Sequence, residues 1–204
     1  MGTIRPGANR RPLKSRSTRW AGAAARAVLA TGLSANQVSF LGIVIAALGA
    51  WAMVEAPTRP LLFLAAAACI QLRLLANMLD GLVAVEGGRG GPTGAIWNEF
   101  PDRIEDSLLL VAAGYAVELP WLGWLCALLA AICAYVRLLG GTLAQPQDFG
   151  GPMAKPHRMA ALTIGCIAAT VWFGGLQVAL GAIAAGTALT IALRLGRLSR
   201  ALGA

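Results

Sequence analysis

The chain of 204 residues is 57% hydrophobic, only 13% charged, and carries a formal net charge of +8. A soluble domain holds roughly 25% charged residues, so a water-exposed fold would leave too much apolar surface in solvent, and lipid is the expected surrounding. The basic residues sit at segment ends and do not line a groove, which points to anchoring beside anionic lipid and away from nucleic acid.

Residues 1–18 are rich in Arg, Pro and Gly and read as a basic, disordered tail. The first twenty residues lack an apolar core, which argues against a cleavable signal peptide. Residues 19–33 follow as an amphipathic helix, with Arg19 and Arg26 on one side, too short to span and expected to lie on the membrane surface. Residues 34–204 form a six-helix transmembrane domain, so the fold class is an all-α, polytopic membrane protein with an N-terminal juxtamembrane helix.

The expected spans are Val38–Val54, Pro60–Leu79, Ile104–Val117, Trp121–Leu139, Met159–Phe173 and Leu176–Leu193. The third and fifth are short by apolar count, so their polar ends should lie near the interface or inside the bundle. With the N-terminus inside, Arg89, Arg103, Lys155, Arg158, Arg194, Arg197 and Arg200 join the basic tail on one side, against Arg59 alone on the other. This asymmetry predicts an inner-membrane protein with both termini cytoplasmic. Small-residue runs such as Ala65–Ala68 and Ala182–Gly186 permit close helix packing. Cys69, Cys126, Cys133 and Cys166 lie in apolar stretches without CxxC spacing and read as buried free thiols.

Of the nine acidic residues, six fall between Asp80 and Asp106: Asp80, Glu86, Glu99, Asp102, Glu105 and Asp106. They begin at the cytoplasmic end of span two and finish at the start of span three. Asn77 and Asp80 are i,i+3 on one helix, and Asn98, Asp102 and Asp106 are spaced by four on the next. Two helices should therefore present oxygen ligands to each other across the glycine-rich turn 87–94. Carboxylates at membrane depth need a cation, a pairing partner or a wet cavity. An oxygen-rich set suits Mg²⁺ or Mn²⁺ and, through them, phosphate-bearing substrates. The plainer alternative is a solvated loop neutralised by Arg89 and Arg103. Arg73, seven residues before Asp80, should face the bundle interior and offset the acids, or snorkel.

The stretch Asn77-x2-Asp80-Gly81-x2-Ala84-Val85-x8-Gly94-x3-Asn98-x3-Asp102 resembles, without a gap, the signature D-x2-D-G-x2-A-R-x8-G-x3-D-x3-D of the CDP-alcohol phosphotransferase family. Leu33–Ser39 resembles the T-P-N-x-[VIL]-T segment that opens the family's first span, and Tyr135-Val136-Arg137 the end of its fourth. The resemblance implies that residues 34–204 carry a metal-dependent transferase. A substituted phosphate, commonly phosphatidyl from CDP-diacylglycerol, would pass to an alcohol with release of CMP in phospholipid biosynthesis. It further implies Asp102 as general base and Asn77, Asp80, Asn98 and Asp102 as ligands of Mg²⁺ or Mn²⁺. Asn36, Ser39, Gly81, Ala84 and Gly94 would line the nucleotide site, and Arg137, Lys155 and Arg158 would receive the acceptor. Family members are commonly homodimers. A second register, ending on Asp102 and Asp106, needs four extra loop residues and leaves Gly94 unmatched.

Three positions depart from the signature. Asn77 and Asn98 stand where the family has aspartate, and Val85 where it has arginine. Either fewer metals bind, or Glu86, Glu99 or Asp106 supplies the missing charge. A membrane protein that keeps the fold and binds a CDP-lipid without turnover is the alternative function these changes motivate. The acceptor stays open between glycerol phosphate, inositol phosphate, serine and unphosphorylated polyols. His157, the one histidine, has no partner at ligand spacing and reads as interfacial.

Overall fold

The computed structural model describes residues 19–86 and 94–203; the expected tail 1–18 and the turn 87–93, with Arg89, lie outside the described residues. Among those described, the chain is all-helical, with seven α-helices: α1 Arg19–Ala30, α2 Ala35–Glu55, α3 Leu62–Glu86, α4 Gly94–Ala116, α5 Pro120–Thr142, α6 Lys155–Ala169 and α7 Gly174–Gly203.

Local chemistry accounts for the helix boundaries. After α1 the chain turns at Gly32, whose φ of +80 suits glycine. Ser34 then caps α2: its hydroxyl accepts from the Gln37 amide while the Gln37 side chain accepts from the Ser34 amide. Pro120 opens α5 and Pro156 sits in the first turn of α6, where a missing N–H costs no helical hydrogen bond.

The short helix α1 lies on α3, with Ala21 and Ala25, one turn apart, fully buried. α4 is the central element, touching α2, α3, α5 and α7, while α6 joins α3 to α7. The core is built largely from small residues. In α2 the buried stripe runs Gly42, Ala46, Gly49 and Met53, and Ala66 and Ala67 of α3 are buried as well. At the α4–α5 crossing a Cβ on Gly114 would stand 2.7 Å from the Gly123 Cα, so the two backbones touch. Large apolar side chains point outward instead, among them Phe40, Leu48 and Trp51 of α2 and Trp121, Trp124 and Leu128 of α5. Apolar outside and small inside is the pattern expected of a bundle in lipid.

Four helices, α2, α3, α5 and α7, are long and apolar enough to cross a membrane, which marks a multi-pass membrane protein. The expected third and fifth spans do not meet that measure. α4 begins at Gly94, ten residues before the expected Ile104, and its first half carries Glu99, Asp102, Arg103, Glu105 and Asp106. α6 has 15 residues and starts on Lys155. Hydropathy discounts these polar turns as helix, whereas ion pairs with neighbouring helices fold them into it. All four cysteines are free, as expected.

Candidate active site

The end of the bundle where α3 and α5 finish and α4 and α6 begin gathers nearly all the buried charge. α3 contributes Arg73, Asn77 and Asp80 along one face, and α4 answers with Asp102, Glu105 and Asp106. Gly42 of α2 makes room for this meeting, because a Cβ there would lie 2.6 Å from Glu105 Oε1.

A deep layer lies innermost. Arg73, fully buried, donates to Glu105 Oε2 at 2.9 Å and to Asp106 Oδ1 at 2.7 Å. Arg158 of α6, also buried, donates to the other Asp106 oxygen at 2.8 Å. Two guanidiniums therefore face two carboxylates in a dry interior, where one partner without the other would be costly. Arg73 faces inward and pairs with the acids, one of the two placements its position allowed.

A shallower layer opens onto a cleft. Asp80 accepts from the Ser39 hydroxyl at 2.6 Å through Oδ2, while its Oδ1 is buried with no hydrogen-bond partner among the described residues. Asn77 donates through Nδ2 to Asp102 Oδ1 at 2.5 Å and to Glu105 Oε2 at 2.9 Å. Lys155 pairs with the same Asp102 Oδ1, and Arg103 stands 3.6 Å from Oδ2. On the facing wall Arg137 pairs with Glu99 at 2.5 Å, bonds Gln147, and lies over the Phe149 ring at 5.2 Å. Arg194 of α7 donates to the Cys133 and Gly150 carbonyls, both at 2.9 Å, tying the loop after α5 to the bundle.

Asp80, Glu99 and Asp102 line the cleft together with Arg103, Arg137, Lys155, Arg158 and Arg194. Cations outnumber carboxylates there, which suits an anionic, phosphate-bearing ligand. Asn77 and Gly81 also line it. Ser39 reaches the site through its bond to Asp80. Asn36 and Ala84 are half-buried near the site but are not part of the described lining, nor is Gly94, around which space is open. The side chains of Asn98 and Glu86 lie outside the described residues. Glu99 and Asp106, considered as sources of compensating charge, are each held by an arginine. His157 is exposed.

Glu105, Gly42 and Phe149 had no role in the sequence reading. Glu105 was within reach of it: Arg73, Asn77 and Asp80 recur at helical spacing, and so do Asp102, Glu105 and Asp106, so both ladders share one face. Phe149 and Gly42 come from elements whose approach no local spacing encodes.

A divalent cation suits the donors present. Among the described residues no three His, Cys, Asp or Glu converge as a metal-binding group. Yet Asp80 Oδ1 has no hydrogen-bond partner among the described residues, and Asp102 Oδ2 meets Arg103 only at 3.6 Å. Two hard oxygens beside a cleft fit Mg²⁺ or Mn²⁺ completed by ligand and water oxygens.

No family model matches the chain, and no curated protein matches it. Solved structures do. The chain is similar to phosphatidylinositol phosphate synthase of Mycobacterium tuberculosis in complex with manganese and citrate, at 23% identity and a TM-score of 0.76, over 87% of this chain and 88% of that one. The same enzyme with CDP-DAG bound matches at 23% and 0.76, over 89% and 94%. Its apo form matches at 22% and 0.71, over 85% and 93%. At that identity the likeness is one of fold: along most of both lengths, this chain is built as that synthase is built.

Proposed function

We propose that the chain is a CDP-alcohol phosphotransferase: it moves a substituted phosphate, phosphatidyl where the donor is CDP-diacylglycerol, to an alcohol and releases CMP. The observation that carries this reading is Asp80, whose buried Oδ1 has no hydrogen-bond partner among the described residues, lining one cation-rich cleft with Asp102 of the next helix. The ungapped signature resemblance and the shared fold with a synthase solved with manganese and with CDP-DAG support it.

Asp80 and Asp102 would hold Mg²⁺ or Mn²⁺, which when bound offsets charge developing on the transferred phosphodiester. Lys155, Arg137 and Arg103 attract and orient the phosphates of the donor. Asp102 takes the proton from the acceptor hydroxyl; that oxygen bonds the β-phosphorus as the bond to the bridging oxygen breaks, and CMP leaves with the α-phosphate. Lys155 and Asn77 hold the Asp102 carboxylate in place through its Oδ1. Gly81, without a side chain, leaves room for the nucleotide. In this reading α4 and α6 complete six crossings, the cleft faces the cytoplasm with both termini, and acyl chains reach the donor site from the bilayer.

Purified protein with Mg²⁺ or Mn²⁺ and a panel of CDP-alcohols should release CMP only when an acceptor alcohol is added. Tight CDP binding with no CMP release from any pair would replace this reading with that of a CDP-lipid-binding protein, which the amide at Asn77 would then favour.

A further inference from the structure

We propose that Glu99 holds the place of a ligand phosphate on Arg137, and that a phosphate-bearing ligand binds by taking Arg137 from it. The proposal rests on the reading of the cleft as a CDP-alcohol site and adds a residue that sets which ligands enter.

The pair is built for exchange. Arg137 reaches Glu99 Oε2 through Nη2 at 2.5 Å, while Nη1 goes to the Gln147 side chain. The guanidinium fork is thus split between two partners, and neither uses the two-pronged geometry open to a phosphate. Gln147 and the Phe149 ring, whose centroid lies 5.2 Å from the guanidinium, are uncharged and belong to the loop that Arg194 ties to the bundle. They keep Arg137 in place whichever anion it meets. Glu99, Arg137 and Phe149 all line the cleft, so a phosphate there meets the guanidinium directly.

Burial separates this pair from its neighbours. In the Arg73 and Arg158 pairs no side chain is more than 3% exposed, and losing a partner there strands a dry charge. Glu99 is 28% exposed and Arg137 10%, so a released carboxylate turns to water at little cost while the drier cation meets the incoming phosphate. Asp102 Oδ1 is held by Lys155 and Asn77 together; Glu99 has Arg137 alone among the described residues. Arg103 stands four residues beyond Glu99 on α4, the spacing at which a glutamate and a following cation meet, and offers the released carboxylate a partner. A phosphate brings more acceptor oxygens than a carboxylate and grips both prongs, so it wins the exchange. A neutral alcohol does not.

The test is a binding cycle. Full-length protein in neutral-lipid nanodiscs with Mg²⁺ is titrated by calorimetry with CDP and, separately, with inorganic phosphate, which stands for the head of a phosphorylated acceptor. Glu99→Gln keeps the shape and removes the charge. It should tighten binding about two- to fivefold, of CDP if the donor phosphate takes Arg137 and of inorganic phosphate if the acceptor does. Arg137→Gln should weaken the same probe, and the double variant should bind no tighter than Arg137→Gln alone. Binding of both probes left unchanged or weakened by Glu99→Gln overturns the proposal. So does a gain that persists without Arg137, which would be the general field of one lost charge. Unfolding midpoints confirm that each variant is folded, and Glu99→Ala repeats the cycle if the glutamine variant is not. CMP release separates the two readings: the expected gain without turnover on any CDP-alcohol defeats the enzyme reading alone, and turnover with no gain from Glu99→Gln defeats this inference alone.

Discussion

Two layers of charge lie about one helical turn apart at the same end of the bundle, and they are finished differently. In the deep layer Arg73 and Arg158 meet Glu105 and Asp106, nearly excluded from solvent and balanced charge for charge. In the shallow layer Asp80, Asp102, Lys155, Glu99 and Arg137 border a cleft, and Asp80 Oδ1 is buried without a hydrogen-bond partner among the described residues. The deep layer closes its electrostatics internally and fixes how α3, α4 and α6 meet. The shallow layer inherits that geometry and keeps the Asp80 oxygen for a ligand. Such a concentration of acids inside the bundle is tolerable because the layer beneath neutralises its share.

The comparison breaks first if the deep layer is not structural. Arg73→Leu leaves two buried carboxylates short of a cation and should cost about 3–5 kcal/mol of stability. Thermal unfolding in detergent measures it, and Arg73→Leu with Glu105→Gln should recover part of the loss. An Arg73→Leu protein as stable as the parent would show the pairs to be incidental. The shallow layer should respond in the opposite sense. Asp102→Asn should lower CMP release about 10²–10⁴-fold, while the unfolding midpoint stays close to that of the parent. Turnover that survives this change would remove Asp102 as the base.

The difference between the layers also sets what the sequence could reveal. Within one helix, spacing is decisive: Asn77 and Asp80, and Asp102 and Asp106, were legible as facing ladders because three and four residues return to the same face. Arg73 was legible for the same reason. Contacts that cross the fold were not. Lys155 and Arg158 read as basic residues awaiting an acceptor, yet α6 brings them onto Asp102 and Asp106, more than fifty positions upstream. The expected third span begins only at Ile104 because hydropathy discounts a run with Glu99, Asp102 and Glu105, although the helix that carries it starts at Gly94 and those acids pair with Arg137, Lys155 and Arg73. The orientation of the Asn77 amide is likewise a tertiary fact, chosen by the carboxylates on either side.

A smaller effect sharpens the boundary between the layers. Ser39 is the one described side chain bonded to Asp80, and it belongs to α2, outside both acid-bearing helices. Ser39→Ala removes a hydrogen bond to a carboxylate and should cost about 1.5–3 kcal/mol in the metal-free protein. If Asp80 binds a cation, saturating Mn²⁺ should recover much of that loss, because the ion restores a partner to the carboxylate. Equal destabilisation with and without Mn²⁺ would place Asp80 in the structural layer instead.

The smallest effect comes from two arginines one turn apart on α7. Arg194 is buried, lines the cleft, and donates to two backbone carbonyls, whereas Arg197 makes a half-exposed pair with Asp148 at 2.7 Å. Both fasten the loop that carries Phe149 to the wall of the site, so position alone would give them equal weight. Solvent decides otherwise. Arg194→Met leaves the carbonyls of Cys133 and Gly150 short of a donor and should cost about 1–3 kcal/mol, with weaker CDP binding as the loop loosens. Arg197→Ala gives up an ion pair that water already screens and should cost less than about 1 kcal/mol, leaving CDP binding unchanged in a titration of the nanodisc-bound protein. Equal losses for the two would mean that the loop is held by charge at the surface, and that the cleft wall depends on ionic strength, which the same titration at raised salt would register.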